Sequence, residues 1–491
     1  MKKGADKIMQ KRHIKKLDME LSQLGFGIMR LPMANGWFTD DAYKMIDRAM
    51  EVGINYYDTA YRYQEGQSEA FVYDALVKRY PRESFHIADK LPVWECRCKD
   101  DMGRIFNTQL ERLGVEFIDF YLLHALNKPN WRTAYDQGAL DFLEKRKKEG
   151  KIRKVGFSLH DNTDALSCIE RAFEWDFVQL QINYYDWTVQ RVDKSYEYLD
   201  IKGIPCFVME PVGGGRLGKL PEKAEALLKT ASPGASVSSW AIRFAAALPN
   251  VAVTLSGMST HEQLEDNIAT FSPVVPITQG EQSKLDEVVR IFGSYNAIPC
   301  TSCQYCVHGC PGEIDIPQIF QRYNDSIMFE NATSFDIDYF GLIPEGKRGD
   351  ACTDCGICVK KCPQGIGIPQ QLINMHRAAV SAAFGVGKEE LDYLKNRGSD
   401  SITVCFGAGL RGKILQAYLR QNGVDTDYFC DNSESMWGKE VNGVPVVGLK
   451  KIQQLAKGVW VDMLVAVGAY NEVKKQLEDS GVIDERFIIV N

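Results

Sequence analysis

Eight of the fourteen cysteines in this chain fall in two groups with identical spacing. Each group follows the pattern C-x2-C-x2-C-x3-C, and a proline follows its last cysteine. Thiolates spaced by two residues can bind one 4Fe-4S cluster, while the fourth thiolate, displaced by the proline, binds the other cluster. The first predicted cluster takes Cys300, Cys303, Cys306 and Cys362. The second predicted cluster takes Cys352, Cys355, Cys358 and Cys310.

This pattern resembles that of bacterial two-cluster ferredoxins, which implies a module that carries electrons one at a time. With no secretion signal in the sequence, clustered cysteines indicate metal binding rather than a disulfide framework. Paired zinc knuckles are the alternative, because C-x2-C also suits tetrahedral zinc. The third and fourth cysteines of each group and the repeated Cys-Pro pair favour iron–sulfur clusters over zinc.

A second set of reactive side chains lies near the N-terminus, each close behind an apolar segment. Asp58 and Tyr63 occur in DTAYRY, Lys90 in HIADKLP and His124 in IDFYLLHAL. A phenol with a pKa near 10 is a poor acid at neutral pH, but a nearby Lys ammonium would lower that pKa. Asp58 would keep Lys90 charged, and His124 could orient a carbonyl oxygen. Together they could protonate this oxygen while a hydride reaches the carbon.

These side chains need a scaffold that brings successive strand ends together. From about residue 20 to 295, apolar segments typical of strands buried on both faces alternate with amphipathic segments. Eight such units in roughly 270 residues predict an α/β fold of the TIM (β/α)8 barrel type, whose C-terminal strand ends share one mouth. An open doubly wound sheet is the alternative, but GFGIMRLP is a poor phosphate-binding turn. The predicted strands are LGFGIMRL, GINYYDTA, FHIADKL, IDFYLLHA, IRKVGFSL, FVQLQINYY, IPCFVMEP and VAVTLSG.

On this scaffold, residues 13 to 275 resemble the aldo/keto reductase superfamily. The resemblance implies an oxidoreductase that reduces a carbonyl or oxidises an alcohol, with a nicotinamide cofactor bound without a Rossmann domain. The spacing in DTAYRY marks Tyr63 rather than Tyr61 as the general acid or base. The predicted catalytic residues are therefore Asp58, Tyr63, Lys90 and His124. The added cysteine module is similar to the iron–sulfur branch of this superfamily.

The resemblance also implies a cofactor site at the later strand ends. Ser158 matches the serine that holds the nicotinamide amide, but Leu159 replaces the usual asparagine, and His160 is the candidate substitute. Met209 replaces the usual stacking tyrosine and can cover a ring less specifically. A loop with three glycines would let backbone N–H groups approach the pyrophosphate, although it could equally be a flexible loop. The predicted cofactor-binding residues here are Ser158, Gln181, Met209, Gly213, Gly214, Gly215, Ser259, Asp266 and Asn267.

The adenosine end of this predicted site lacks the expected cation. Gly257, Met258 and Gln263 stand where Lys or Arg would contact a 2′-phosphate. An anionic phosphate without a cationic partner binds weakly, so NAD(H) is favoured over NADP(H). A flavin is a further alternative, although no flavin motif is evident.

The last ninety or so residues contain a glycine-rich turn of their own. Gly407, Gly409 and Gly412 have GxGxxG spacing between an apolar strand and a helix, and Asp431 ends the next strand. This context predicts a nucleotide site with Asp431 at the ribose. The segment resembles small Rossmann-like domains of sugar acyltransferases and polysaccharide-biosynthesis proteins, which implies a nucleotide or nucleotide-sugar ligand. A degenerate docking domain is the alternative.

The motifs predict four successive segments along the 491 residues. They are a barrel (1–295), a ferredoxin-like domain (296–375), a linker helix (376–398) and a Rossmann-like domain (399–491). A net charge of −7 argues against a nucleic-acid partner. No signal peptide or apolar run of about 18 residues is found, so we expect a cytoplasmic protein without a membrane partner.

Two functions are consistent with these motifs. The first is an enzyme acting on a small carbonyl substrate. Only the last domain suggests that this substrate is sugar-like. The clusters of this enzyme either relay electrons to a redox partner protein or stabilise the fold. A cluster moves one electron, whereas a hydride carries two, so a direct relay would need a flavin or a radical step. The second is a non-catalytic electron-transfer or sensor adaptor that uses the barrel as a binding scaffold. The presence of all four tetrad residues favours the enzyme.

Overall fold

The computed structural model describes residues 9–329, 332–398, 400–466, 470–479 and 487–490. The chain divides into two units, residues 1–303 and 304–491. The division falls between Cys303 and Gln304, inside the first cysteine group. Within the described ranges, no helix combines the length and the apolar character needed to cross a bilayer.

Eight parallel strands of the first unit close into a barrel, which confirms the predicted fold class. All eight segments predicted as strands overlap a barrel strand. The strands of this unit are β1 (Lys11–Ile14), β2 (Met19–Ser22), β3 (Leu24–Gly27), β4 (Met33–Ala34), β5 (Trp37–Phe38), β6 (Tyr56–Asp58), β7 (His86–Leu91), β8 (Ile118–Leu126), β9 (Ile152–Leu159), β10 (Phe177–Gln181), β11 (Cys206–Met209) and β12 (Val251–Gly257). The barrel comprises β3 and β6 to β12, with β12 pairing back onto β3. The other four strands form two antiparallel hairpins.

Aromatic side chains fill the barrel interior. The rings of Phe120 and Phe177 lie 5.3 Å apart, and those of Phe177 and Phe207 lie 4.7 Å apart. The β1–β2 hairpin adds Leu17 and Leu21 to the same buried cluster. Because β2 leads directly into β3, this hairpin lies at the N-terminal strand ends and leaves the opposite mouth for the site.

In the described part of this unit, twelve α-helices accompany these strands. They are α1 (Asp40–Glu51), α2 (Ser68–Val72), α3 (Lys99–Leu113), α4 (Lys128–Asp136), α5 (Ala139–Lys148), α6 (Thr163–Glu170), α7 (Tyr184–Val189), α8 (Val192–Lys202), α9 (Glu222–Ala231), α10 (Val237–Ala246), α11 (His261–Thr270) and α12 (Gln279–Ser294). Helix α3 buries Ile105, Phe106, Gln109 and Leu113 on one face. Helix α12 begins with a capping box between Thr278 and Glu281, in which the two side chains satisfy backbone N–H groups of the first turn.

The second unit contains a six-stranded sheet and eight α-helices within the described residues. The strands are β13 (Ser401–Phe406), β14 (Tyr428–Cys430), β15 (Glu440–Val441), β16 (Val444–Val447), β17 (Trp460–Val465) and β18 (Phe487–Val490). The helices are α13 (Ile316–Met328), α14 (Phe335–Leu342), α15 (Ile357–Lys361), α16 (Ile368–Phe384), α17 (Lys388–Asn396), α18 (Leu410–Gln421), α19 (Leu449–Leu455) and α20 (Tyr470–Asp479). The strand order is β15-β16-β14-β13-β17-β18, parallel except for β15. Helices α13 and α16 each follow a cysteine group and begin with Ile-Pro, a position that tolerates proline because its N–H would have no helical partner.

Candidate active site at the barrel mouth

The four residues of the predicted tetrad come from neighbouring strand ends. Asp58 is the last residue of β6, Lys90 lies near the end of β7, and His124 lies near the end of β8. Tyr63 starts the short 3-10 helix Tyr63–Gly66 that follows β6. Because β6, β7 and β8 are adjacent in the barrel, the fold brings all four side chains to one side of the mouth.

Lys90 is the centre of this group. Its Nζ donates hydrogen bonds to Asp58 Oδ1 at 2.5 Å, to the Thr59 carbonyl oxygen at 2.7 Å and to Tyr63 Oη at 3.1 Å. The residue is 1% exposed. An ammonium has three N–H groups, so the protein satisfies all of them.

Asp58 and Lys90 form a buried ion pair. Burial raises the pKa of the Asp58 carboxyl, and the Coulombic attraction and hydrogen bond of Lys90 oppose that rise. The two side chains are 5% and 1% exposed, so their attraction acts with little solvent screening. The ion pair therefore places Lys90 Nζ within hydrogen-bond distance of the Tyr63 phenol.

His124 is held neutral. Burial, the Lys90 charge and His160 together lower the pKa of His124 well below its ordinary value. Its ring centroid lies 5.9 Å from that of Tyr63 and 5.1 Å from that of Trp94. A neutral imidazole can donate one hydrogen bond and accept another, so His124 can orient a polar oxygen without adding charge. Trp94 was not predicted from the sequence; its position four residues after Lys90 in a strand-end loop was the available signal.

Ser158 supports the strand end that carries His124. Its Oγ accepts a hydrogen bond of 2.8 Å from the Ala125 backbone N–H. Strand β8 has a register shift between Leu123 and Leu126, and Ala125 adopts a left-handed φ of +49°. Such a bulge re-aims a neighbouring side chain. Ser158 thus has a structural use in addition to its predicted contact with the nicotinamide amide.

Gln181 belongs to a buried polar network. Its Nε2 donates to Asp186 Oδ2 at 2.7 Å, and Asn183 Nδ2 donates to the same oxygen at 2.6 Å. The Gln181 side chain also hydrogen-bonds with His160, whose pKa is lowered to about 4 by burial. Gln181 and His160 therefore lie together, next to where the sequence predicts the carboxamide.

Met209 and the three glycines follow strand β11. Met209 is 9% exposed, packs with the barrel interior and accepts a hydrogen bond of 3.4 Å from Gln179 Nε2 at its sulfur. Gly213, Gly214 and Gly215 have φ of +57°, +68° and +103°, a region that glycine enters without steric cost. The loop is therefore a defined turn with exposed backbone at Gly215.

The residues predicted at the adenosine end all have contacts within the barrel. Ser259 Oγ donates to the Arg30 carbonyl oxygen at 2.7 Å, and Asp266 Oδ2 accepts 2.6 Å from Ser236 Oγ. Asn267 is 4% exposed and donates to Ser256 Oγ at 2.7 Å. These contacts fix the loop after β12, and the predicted ribose and adenine contacts of these side chains remain predictions.

Three charged residues at the mouth were not predicted from the sequence: Arg30, Glu210 and Arg216. Burial raises the pKa of Glu210 to about 7, and the charges of Arg30 and Arg216 oppose the rise. Glu210 is partly exposed as a residue, but its Oε2 has no contact with solvent. Arg30 ends the 3-10 turn Ile28–Arg30 that follows the first barrel strand, and Glu210 directly follows Met209, so position near a strand end was the signal available for both.

One of the predicted cluster sites can be described within a single unit. Its four thiols, together with apolar side chains such as Ile314, Ile316 and Leu372, line one pocket. These thiols belong to Cys310, Cys352, Cys355 and Cys358. The pocket thus combines three cysteines of the second group with the last of the first, as the crossed assignment requires. No three His, Cys, Asp or Glu side chains in the described ranges are arranged to hold one common metal ion.

The glycine-rich turn of the second unit is built around Asp431. The two oxygens of this carboxylate accept backbone N–H bonds of 2.8 Å each, from Ala408 and Ser433. Gly407 has φ of +103°, and a Cβ on Gly412 would collide with the Gly407 carbonyl oxygen. The spacing of Gly407 and Gly412 is thus explained by close packing of strand, turn and helix. A ligand contact of Asp431 stays a prediction.

Comparisons with known proteins agree with both kinds of motif. The model of the aldo/keto reductase family matches residues 23–290, and that of the 4Fe-4S dicluster domain matches residues 299–366. An uncharacterized oxidoreductase of Bacillus subtilis, YqkF, is 26% identical over 293 residues, which cover 53% of this chain and 90% of the relative. NADH-specific methylglyoxal reductase of Escherichia coli is 26% identical over 319 residues, covering 54% and 94%.

Two further similarities each cover a little more than half of this chain. L-galactose dehydrogenase of Arabidopsis thaliana is 24% identical over 294 residues, covering 56% of this chain and 91% of the relative. The solved holo form of aldo-keto reductase AKR11C1 from Bacillus halodurans is 25% identical, with a TM-score of 0.49, and covers 57% of this chain and 96% of its own.

Proposed function

This chain belongs to the aldo/keto reductase family, whose model matches more than half of its length, and we propose that its barrel interconverts a carbonyl and an alcohol with Tyr63 as the proton donor or acceptor. The observation that carries the proposal is the Lys90 ammonium, which donates at once to Asp58, Thr59 and Tyr63. Because Tyr63 Oη accepts from Lys90, the phenol can donate its own proton to a substrate oxygen. The phenolate that forms is then stabilised by the same ammonium.

His124 and Lys90 have different roles at the substrate oxygen. The neutral His124 imidazole donates a hydrogen bond that holds the substrate oxygen near the phenol, and Lys90 supplies the positive charge. Trp94, beside His124, provides an apolar wall for the substrate. A bound nicotinamide supplies or accepts the hydride at the carbon. For alcohol oxidation the proton moves in the opposite direction, from the substrate hydroxyl to the Tyr63 phenolate.

The chain offers residues suited to a nicotinamide cofactor. Ser158 and the Gln181–His160 pair provide hydrogen-bonding groups for a carboxamide, and Met209 provides an apolar surface for a ring. Arg216 Nε and Nη2 are buried without a hydrogen-bond partner among the described residues, and such donors suit a phosphate.

We favour NAD(H) over NADP(H). The cation beside Gly257 is Arg30. Its guanidinium donates hydrogen bonds to the carbonyl oxygens of Thr301 and Ser302 rather than to a 2′-phosphate. Comparing NADH with NADPH at equal concentration measures this preference directly. We expect kcat/KM to be higher with NADH.

The substrate we propose is a small carbonyl compound. Relatives named for methylglyoxal and L-galactose support small aldehydes and sugars as the first classes to test. Oxidation of NADH by purified protein should therefore be followed with methylglyoxal and short aldoses, and reduction of NAD⁺ with the corresponding alcohols and sugars.

Tyr63→Phe tests the mechanism and Tyr61→Phe is its matched control. Loss of the general acid should lower kcat by about 10²- to 10⁴-fold, whereas Tyr61, whose ring stacks against Arg112, should keep the parent rate. Equal rates for the parent and Tyr63→Phe would reject Tyr63 as the acid. Inactivity of all three proteins on every substrate would favour the non-catalytic adaptor.

We further propose that the dicluster domain holds two 4Fe-4S clusters on the two crossed cysteine sets, in a cytoplasmic protein with a redox partner. Such clusters carry single electrons. We also propose that the chain has the four successive segments predicted from its motifs.

For the segment after residue 399, we propose a nucleotide ligand at the turn of Gly407 to Gly412. A shift in melting temperature with ADP or UDP-sugars, lost in Gly409→Val, would support this ligand.

A further inference from the structure

The peptide that carries the first two cysteines is docked on the barrel mouth. We call residues 300–303 (Cys300, Thr301, Ser302 and Cys303) the cysteine strap; all four belong to the barrel unit. Arg30 donates from Nη2 to the Thr301 carbonyl oxygen at 2.6 Å and from Nη1 to the Ser302 carbonyl oxygen at 3.1 Å. Thr301 is 2% exposed. One barrel arginine therefore fixes the backbone between Cys300 and Cys303.

The glycine loop holds the strap from its other side. A Cβ on Gly214 would lie 2.8 Å from the Thr301 Cα and would overlap the Thr301 carbonyl oxygen. Gly214 also has φ of +68°, which disfavours any side chain. The strap thus touches the same loop whose backbone is proposed to receive the dinucleotide pyrophosphate.

Unused polar atoms lie beside this contact. The Glu210 carboxyl interacts with Thr301, Arg30 and Arg216. Among the described residues, Arg216 Nε and Nη2 are buried without a hydrogen-bond partner. Unsatisfied buried polar atoms are costly and usually mark a place for water, an ion or a ligand. An anion that binds Arg216 here would lie next to the strap.

We propose that the strap and the dinucleotide pyrophosphate share this part of the mouth. Dinucleotide binding is then coupled to the redox state of the cluster on Cys300 and Cys303. Arg30 is the positioning residue, because it holds the strap in place. The inference rests on the proposed dinucleotide site and cluster ligands. One-electron reduction by an external reductant adds one negative charge to the cluster. The pyrophosphate is also negative, so each disfavours the other. By linkage, the two effects are equal in free energy.

ADP-ribose is the probe, because it carries the pyrophosphate but has no nicotinamide to exchange a hydride. Its Kd is measured on the oxidised and the dithionite-reduced holoprotein, and cluster potentials are measured by EPR-monitored titration with and without it. We expect about tenfold weaker binding to the reduced protein. For a one-electron couple this ratio corresponds to a potential about 59 mV lower for one of the two clusters. Equal Kd values with unchanged potentials would overturn the proposal.

Two variants remove the docking from opposite sides. Arg30→Gln removes both carbonyl contacts, and Gly214→Ala places a methyl group where Thr301 lies. Each should reduce the tenfold ratio to less than twofold while iron content stays at the parent level. Arg132→Gln, an exposed residue on α4, is the matched control and should keep the full ratio. If Arg30→Gln loses iron, Gly214→Ala decides; a full ratio in that variant contradicts the proposal.

The outcomes also separate this inference from the proposed function. ADP-ribose that binds both redox forms equally leaves the dinucleotide site in place and rejects only the coupling. ADP-ribose that binds neither form rejects the dinucleotide site and the coupling together.

Discussion

Lys90 donates every N–H of its ammonium to a protein acceptor, and one of these acceptors is the Asp58 carboxylate. A buried charge without a partner of opposite sign is costly. Asp58, 3% exposed, supplies the compensating charge at 2.5 Å. Tyr63, His124 and Lys90 could be identified from residue type and strand position. The Thr59 carbonyl contact could not, because backbone acceptors have no sequence signature.

The Asp58–Lys90 pair gives a prediction for stability. Lys90→Met leaves a buried carboxylate without its partner and should lower the free energy of unfolding by about 3–5 kcal/mol. Asp58→Asn combined with Lys90→Met removes the uncompensated charge and should regain most of that loss, while carbonyl reduction stays abolished. Urea unfolding of the three proteins, followed by tryptophan fluorescence, measures the difference. A double variant no more stable than Lys90→Met would contradict the charge argument.

At the scale of elements, strand β7 presents different groups to its two faces. Lys90 points to the mouth, and Asp89, its neighbour, points to the surrounding helices, as alternation along a strand requires. There Asp89 meets Glu69 of α2, and both are 0% exposed. Arg112 of α3 donates to Glu69 Oε2 at 2.8 Å. Apolar runs predicted β7 and its neighbouring strands. The contacts of Glu69 with Asp89 and Arg112 join three separate elements, α2, β7 and α3, so no local pattern indicated them.

The Glu69–Asp89 pair predicts a dependence of stability on pH. Burial and the Glu69 charge raise the pKa of Asp89 well above its ordinary value, and burial raises the pKa of Glu69. The folded state therefore retains a proton that the unfolded state has lost. Its stability falls as pH rises from the ordinary carboxyl range of about 4 towards the folded pKa of the pair.

Asp89→Asn should flatten this decline. The amide oxygen can still accept the Lys90 backbone N–H, which lies 2.8 Å from Asp89 Oδ1, and no second carboxylate then has to lose a proton. Melting temperatures from pH 5 to 9 should fall less steeply than in the parent protein. Glu111→Gln, exposed on the same helix as Arg112, is the control and should keep the parent slope. A parallel decline in Asp89→Asn would show that other groups cause it.

At the scale of the whole molecule, the chain divides inside a cysteine group, and the predicted tetrad and the cysteine pocket lie in different units. The tetrad and its contacts lie within residues 1–303, and the pocket of Cys310, Cys352, Cys355 and Cys358 lies within residues 304–491. Spacing predicted the crossed membership of this pocket because the proline turn after each group is local. The docking of the cysteine strap by Arg30 was not predictable, since 271 residues separate Arg30 from Thr301.

The pocket predicts the metal content of the protein. Cys358→Ala removes one of its four thiols and should lower iron from about eight to about four per chain, with a matching loss of sulfide, because only the cluster bound in that pocket is lost. Cys168→Ala, exposed on α6 and outside both groups, should keep all of the iron. Iron, zinc and sulfide are measured on anaerobically purified protein. Zinc in place of iron in the parent protein would support the zinc knuckles instead, and iron unchanged in Cys358→Ala would remove this cysteine from the ligand set.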